Sequence, residues 1–206
     1  MNDFEKIYWN LRKKYSRPAG QWKLWCKRPK TLKQKEEVLM GAILTQRTNW
    51  KNVELSIKNL KRKKIDSLDA IYKLGTGRLE TLIKPAGFYK TKSKYLFNLA
   101  QFIKKNYGNL KKMQAAETEK LREELLRLKG IGPETADSIL LYGLDKPVFV
   151  IDEYTRKLVK KKKLARDLSY AHLQNLFMRN LRKDYCLYQD FHALIVIDGK
   201  LAGNKG

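Results

Sequence analysis

A chain of 206 residues that is 43% hydrophobic is long enough for one large domain, or two small ones, with a sizeable core. Its 45 lysines and arginines against 21 acidic residues leave a formal charge of +24; this favours a polyanion, nucleic acid or an anionic membrane surface, unless it only reflects an AT-rich genome or a hot habitat. No apolar run approaches the ~18 residues of a membrane span, "MNDFEKIYWN" has no signal-peptide core, and two distant cysteines, Cys26 and Cys186, fit a reducing compartment and cannot make a four-thiolate site.

In chain order, nearly everything reads as helix. "TLKQKEEVLMGAILTQ" (31–46) repeats apolar residues at 38, 39, 42 and 43, with Thr31 as N-cap. "NWKNVELSIKNLKRKK" (49–64) repeats them at 50, 53, 57 and 60 and closes on basic residues that suit a helix C-terminus. Shorter helices follow at 67–74 and 77–87, a longer one at 90–108, and another at 117–128 with Leu121, Leu125 and Leu128 on one stripe. Beyond residue 146 the segments 146–162, 170–183 and 188–201 are helical; "VFVI" and "ALIVI" are too short to demand strands and read as a buried lead-in to a helix and a buried helix. The runs "KRKK" (61–64) and "KKKK" (160–163) lie at helix ends.

The stretch "LKGIGPETADSILLYG" (128–143) carries the chemistry. Pro133 suits a first helical position; Gly130 and Gly132 permit positive φ and close backbone approach. The turn presents the amides of Gly132, Glu134 and Thr135 at a helix N-terminus, beside Lys129, which makes an anion site that would grip a nucleic-acid backbone without reading bases. Spacing alone fits a plain helix–helix turn equally well; the net charge favours phosphate.

Helix–"LxGxGxxTA"–helix followed by "PVFVID" (147–152) resembles the helix-hairpin-helix (HhH-GPD) DNA glycosylases of the endonuclease III superfamily. "LMGAILTQRTNW" (39–50) and "IKPAGFYKTKSKYLFNLA" (83–100) extend the likeness over about residues 30–200, and "LTQRTNW", "PAGFY", "GIGPETAD" and "VIDEY" look closest to the compact 3-methyladenine DNA glycosylases. The resemblance implies an all-α, two-domain fold with the active-site cleft between the domains: residues 31–145 as a central domain with the hairpin, 1–30 plus 146–206 as the second. It implies that Lys129, Gly130, Gly132 and Thr135 hold phosphates and that Asp152 is the catalytic carboxylate. Gln46 and Phe88 match positions that fill the gap of a flipped base or wedge the opposite strand. Trp50 matches an aromatic that stacks on the damaged base; Trp22 and Trp25 lie where further pocket aromatics are placed, without clean alignment.

Two departures matter. After "HALIVIDGK" this chain has no cysteine, so the family's iron–sulfur loop is not expected. Where lyase members carry their attacking lysine, this chain has Glu134. Each residue also has a plainer reading: Asp152 as an N-cap for "EYTRKLVKK", the three tryptophans as core, and His192 in its apolar run as a satisfied buried histidine. The expected function is a monofunctional glycosylase that flips out and excises a damaged base from double-stranded DNA, an alkylated purine such as 3-methyladenine first. A bifunctional glycosylase/AP lyase on oxidised pyrimidines and a non-catalytic DNA-binding protein are the alternatives. No metal, cofactor or membrane is expected, and a cytoplasmic monomer is, nucleoid-associated if the source is prokaryotic.

Overall fold

The computed structural model describes residues 1–203, and among them are thirteen α-helices and no strand. The chain forms two compact units, Pro29–Ile139 and Met1–Arg28 with Leu140 onward.

The contiguous unit holds α3 (Leu32–Leu44), α4 (Trp50–Arg62), α5 (Leu68–Leu74), α6 (Thr76–Ile83), α7 (Tyr89–Phe102), α8 (Leu110–Ala115), α9 (Thr118–Leu126) and α10 (Pro133–Ser138). Their starts follow from capping side chains: Thr31 and Gln34 form a reciprocal capping box, and Asn49, Ser67, Asn109 and Glu117 accept amides of the first turns. Val38, Leu39, Ile43, Leu60, Ile71, Leu79, Leu96, Leu99, Leu121 and Leu125 make the core. Helix α7 runs on into a π-helical stretch, Ile103–Tyr107, so the segment at 90–108 is helical as expected but ends in a wider turn.

The split unit holds α1 (Asp3–Tyr15), α2 (Trp22–Trp25), α11 (Glu153–Lys162), α12 (Tyr170–Asn180) and α13 (Tyr185–Gly203). "ALIVI" lies inside α13, whereas Val148–Ile151 is buried extended chain with no helical turn. Phe149 stacks on Phe177 at 4.3 Å, and its carbonyl accepts from Gln174 at 2.7 Å, which satisfies backbone that has no ladder. Gly199 lets α13 pass close to α11, because a Cβ there would meet the Tyr154 ring at 2.4 Å. Asp190, on α13, is tied to Arg28 at 2.9 Å and Arg12 at 3.6 Å and so fastens the N-terminal segment.

Candidate active site

In the contiguous unit, α9, the turn 127–132 and α10 form the hairpin. Gly130 has φ +93°, and a Cβ on it would sit 2.3 Å from the Tyr95 ring, so glycine is required here on both conformational and steric grounds. Gly132 differs from expectation: its backbone is extended (φ −89°, ψ 179°), it is the N-cap of α10, and nothing lies within 4 Å of where its Cβ would be. Its openness leaves the helix start uncovered. The first α10 bond is Ala136 N–H to Gly132 O, so the amides before it have no intrahelical acceptor.

The hairpin is held rigid from two sides. Arg122 makes a forked pair to the fully buried Asp137 at 2.6 and 3.0 Å, which locks α9 to α10. Gln46 donates to Gly130 O at 2.8 Å and to Thr135 Oγ1 at 3.0 Å, so the residue read as a gap filler spans the mouth of the turn. Gln46, Gly130 and Thr135 line a cavity of about 810 Å³ together with Arg47, Phe88, Lys92, Tyr95, Gly132 and Glu134. Lys129 is exposed at its side. Phe88 is 63% exposed with φ +46°, and Arg47 is exposed with φ +51°. Left-handed backbone costs a non-glycine residue roughly 1–2 kcal/mol, and both residues spend it on standing out from the surface. Lys92 supports them from beneath: it is 2% exposed, its ammonium donates to Leu44 O and Ala86 O at 2.8 Å each, and burial lowers its pKa to about 8. Trp50 is half-buried at the first position of α4, and its indole N–H donates to Glu54 at 2.9 Å, so it is not a core residue.

In the split unit, Asp152 is both a helix cap and a shielded carboxylate. Its Oδ1 accepts the Thr155 amide at 2.8 Å and the Thr155 hydroxyl at 2.9 Å; its side chain is 13% exposed. Burial alone would push its pKa up, but His192 and the two Thr155 bonds outweigh that and hold it below the ordinary carboxylate value. Trp22 and Trp25 are buried and pack edge to face at 5.6 Å, with Tyr142 against them at 5.4 and 5.2 Å. Trp22 also lies 5.8 Å from the His192 ring and lines a basic pocket with Arg12, Arg17, Lys23, Lys27 and Arg28. The apolar run hid His192, the neighbour of Asp152 forty residues on; a polar residue within "FHALIVI" was the available signal. Tyr142, Tyr95 and Lys92 carried none, because their importance lies in what folding places beside them.

The contiguous unit thus offers an exposed, glycine-initiated helix after a braced turn, and the split unit a buried aspartate at the head of a helix. Residues 40–183 match the HhH-GPD superfamily of base excision DNA repair proteins. The chain belongs to that superfamily. It is a DNA glycosylase. A protein of Methanocaldococcus jannaschii named as a candidate DNA repair glycosylase is 46% identical over 165 residues, covering 78% of this chain and 74% of that one. The crystal structure of the Helicobacter pylori 3-methyladenine DNA glycosylase bound to 1,N6-ethenoadenine is similar at a TM-score of 0.80 and 31% identity, covering 98% of this chain and 99% of that one. Endonuclease III of Thermotoga maritima is 28% identical over 121 residues, 59% of this glycosylase and 53% of the relative.

Proposed function

We propose that this glycosylase binds double-stranded DNA as a monomer, extrudes a damaged base and hydrolyses its N-glycosidic bond without cutting the strand, and that its substrates are alkylated purines such as 3-methyladenine. The observation that carries the chemistry is Asp152, an anionic carboxylate shielded from water and favoured by the N-terminus of α11. An alkylated purine is already cationic. When its bond to C1′ breaks, the bond pair leaves with the base, which departs neutral and needs no general acid. Positive charge then builds on the sugar, and Asp152 stabilises it and takes the proton of the attacking water.

The remaining residues have supporting roles. The backbone amides of Gly132, Glu134 and Thr135 at the start of α10 and the Lys129 ammonium take phosphates. Phe88, exposed on strained backbone, wedges the duplex, and Gln46 occupies the vacated space. Trp50 offers a ring to the cationic base; Trp22 and Trp25 pack on Tyr142, whose hydroxyl meets the His192 ring. The likeness to the Helicobacter pylori 3-methyladenine enzyme supports the substrate class. Glu134 supports the monofunctional mode: it stands where lyase members carry the amine, and a carboxylate cannot form an imine.

The test is a screen of bases released from alkylated, deaminated and oxidised duplexes, with strand cutting scored before and after alkali. Release of methylated adenine, cutting only after alkali, and no adduct trapped by borohydride is the expected result. An adduct formed at the rate of base release, and lost on replacing one lysine, would overturn the monofunctional reading.

A further inference from the structure

The two oxygens of Asp152 are held differently. Oδ1 is occupied by Thr155, whereas Oδ2 faces Nε2 of His192 at 3.5 Å. His192 is 4% exposed, and its Nδ1 lies 2.7 Å from the Tyr142 hydroxyl. Its Nε2 is buried and makes no hydrogen bond of ordinary length. A buried polar atom left without a partner costs about 1–3 kcal/mol, so what this nitrogen is aimed at matters.

The protons can be arranged in three ways. A neutral ring protonated on Nδ1 points a lone pair at a carboxylate oxygen, with no proton between two buried acceptors. A neutral ring protonated on Nε2 accepts at Nδ1 from the Tyr142 hydroxyl, while Gln189 O keeps the Cys26 thiol as a donor at 3.6 Å. A doubly protonated ring donates from Nδ1 to Tyr142, whose hydroxyl then turns to Gln189 O at 3.2 Å. Both satisfying arrangements put a proton on Nε2, directed at Oδ2. Tyr142 is fully buried against Trp22 and Trp25, and burial pushes its phenol well above its ordinary pKa, so it keeps its own proton.

We infer that His192 is a positioning residue for Asp152: its Nε2–H holds Oδ2 and fixes the plane of the carboxylate, and Tyr142 fixes the ring. Held through Oδ1 alone, the carboxylate can turn about its last torsion; held at both oxygens, it presents one edge to C1′ and the water. The 3.5 Å separation is longer than an ordinary hydrogen bond, and contacts of this kind shorten in a reacting complex. The inference rests on Asp152 being the carboxylate that acts at C1′.

Single-turnover excision from an alkylated duplex tests it. Asp152→Asn should abolish turnover; if it does not, the reading of Asp152 falls, whatever His192 does. With Asp152 essential, His192→Leu should lower the saturating single-turnover rate by about 10²-fold, the scale of a misplaced reacting group, with the half-saturating enzyme concentration within about twofold. His192→Gln, whose amide donor overlies Nε2, should recover most of that loss. His192→Asn, whose amide overlies Nδ1, should not. Equal effects of Gln and Asn, or a wild-type rate for Leu, would overturn the inference. Because a buried leucine can disturb folding, the wild-type protein supplies an independent reading. The chain has 2 histidines, so nitrogen NMR with a His172→Gln control isolates the His192 ring. A proton on Nε2 is expected; a ring protonated on Nδ1 alone would overturn the inference.

Discussion

The hairpin and the aspartate site solve opposite problems. The hairpin is proposed to meet DNA with backbone, and its rigidity comes from side chains that brace it on two sides, Arg122 on Asp137 and Gln46 on Gly130 and Thr135. The aspartate site is proposed to act with one side chain, buried, bonded to Thr155 and faced by His192. A backbone grip tolerates water and any sequence. A carboxylate that stabilises a developing cation works only where water is scarce, since charges interact more strongly at low dielectric. The first should therefore govern affinity and the second the chemical step.

The sharpest way to break that division is Asp152→Asn. Excision should fall by about 10³-fold or more while duplex affinity stays within about twofold, measured by single-turnover kinetics and titration of undamaged DNA. Asparagine is as good an N-cap, so thermal stability should change by under ~1 kcal/mol. A large loss of affinity would show that the two regions do not divide the work.

The glycines sharpen the other side. Gly130→Ala forces a Cβ onto the Tyr95 ring at positive φ and should destabilise the free protein by about 1–3 kcal/mol. Gly132→Ala meets nothing within 4 Å and should cost at most about 1 kcal/mol as a poorer N-cap, yet weaken binding to all duplexes alike, because the added Cβ would stand in the way of the phosphate proposed at this helix start. Wild-type affinity should fall with salt at a log–log slope of about −0.9 per phosphate neutralised; a flat response would remove phosphate from the hairpin.

Trp50→Ala should cost about 0.5–2 kcal/mol more on a cationic alkylated base than on a neutral damaged one, from competing excision rates. Equal losses would return Trp50 to a structural role. The smallest effect concerns Lys92. Its folded pKa of about 8 lies below the ordinary 10.5, so between those values the unfolded chain holds a proton that the folded one has lost, and folding stability gains as pH rises. Chemical unfolding of wild type and Lys92→Met should show the stability difference shifting in favour of wild type from pH 8 to 10.5. Parallel curves would mean that the ammonium stays charged throughout.

Much of this molecule was legible because its punctuation is local. Thr31, Asn49 and Ser67 announce their helices, and Gly-Ile-Gly-Pro announces a turn before a helix. Helix α1 carries the same kind of signal, Asn2 with Glu5 three residues on. Gly132 shows the limit of a glycine argument: sequence cannot separate a glycine needed for its φ from one needed for the space it leaves open. The supports of Asp152 were illegible for another reason. Tyr142 and His192 lie 50 residues apart, and His192 and Asp152 forty, so only packing brings them together. Reading His192 as a satisfied buried histidine describes its Nδ1 and misses its Nε2.

Asp152 starts α11 with the same oxygen that Thr155 occupies, so its carboxylate serves the fold whether or not it serves the reaction. Selection on stability alone would preserve an aspartate or asparagine at this position in a descendant that no longer excised anything. The aspartate is thus a poor marker, taken singly, for telling active relatives from relics. Tyr142 and His192 have no such second employment at a helix end. Where a lineage abandons the chemistry, their polar atoms become a buried burden that apolar replacements relieve, and the pair should decay before the aspartate does.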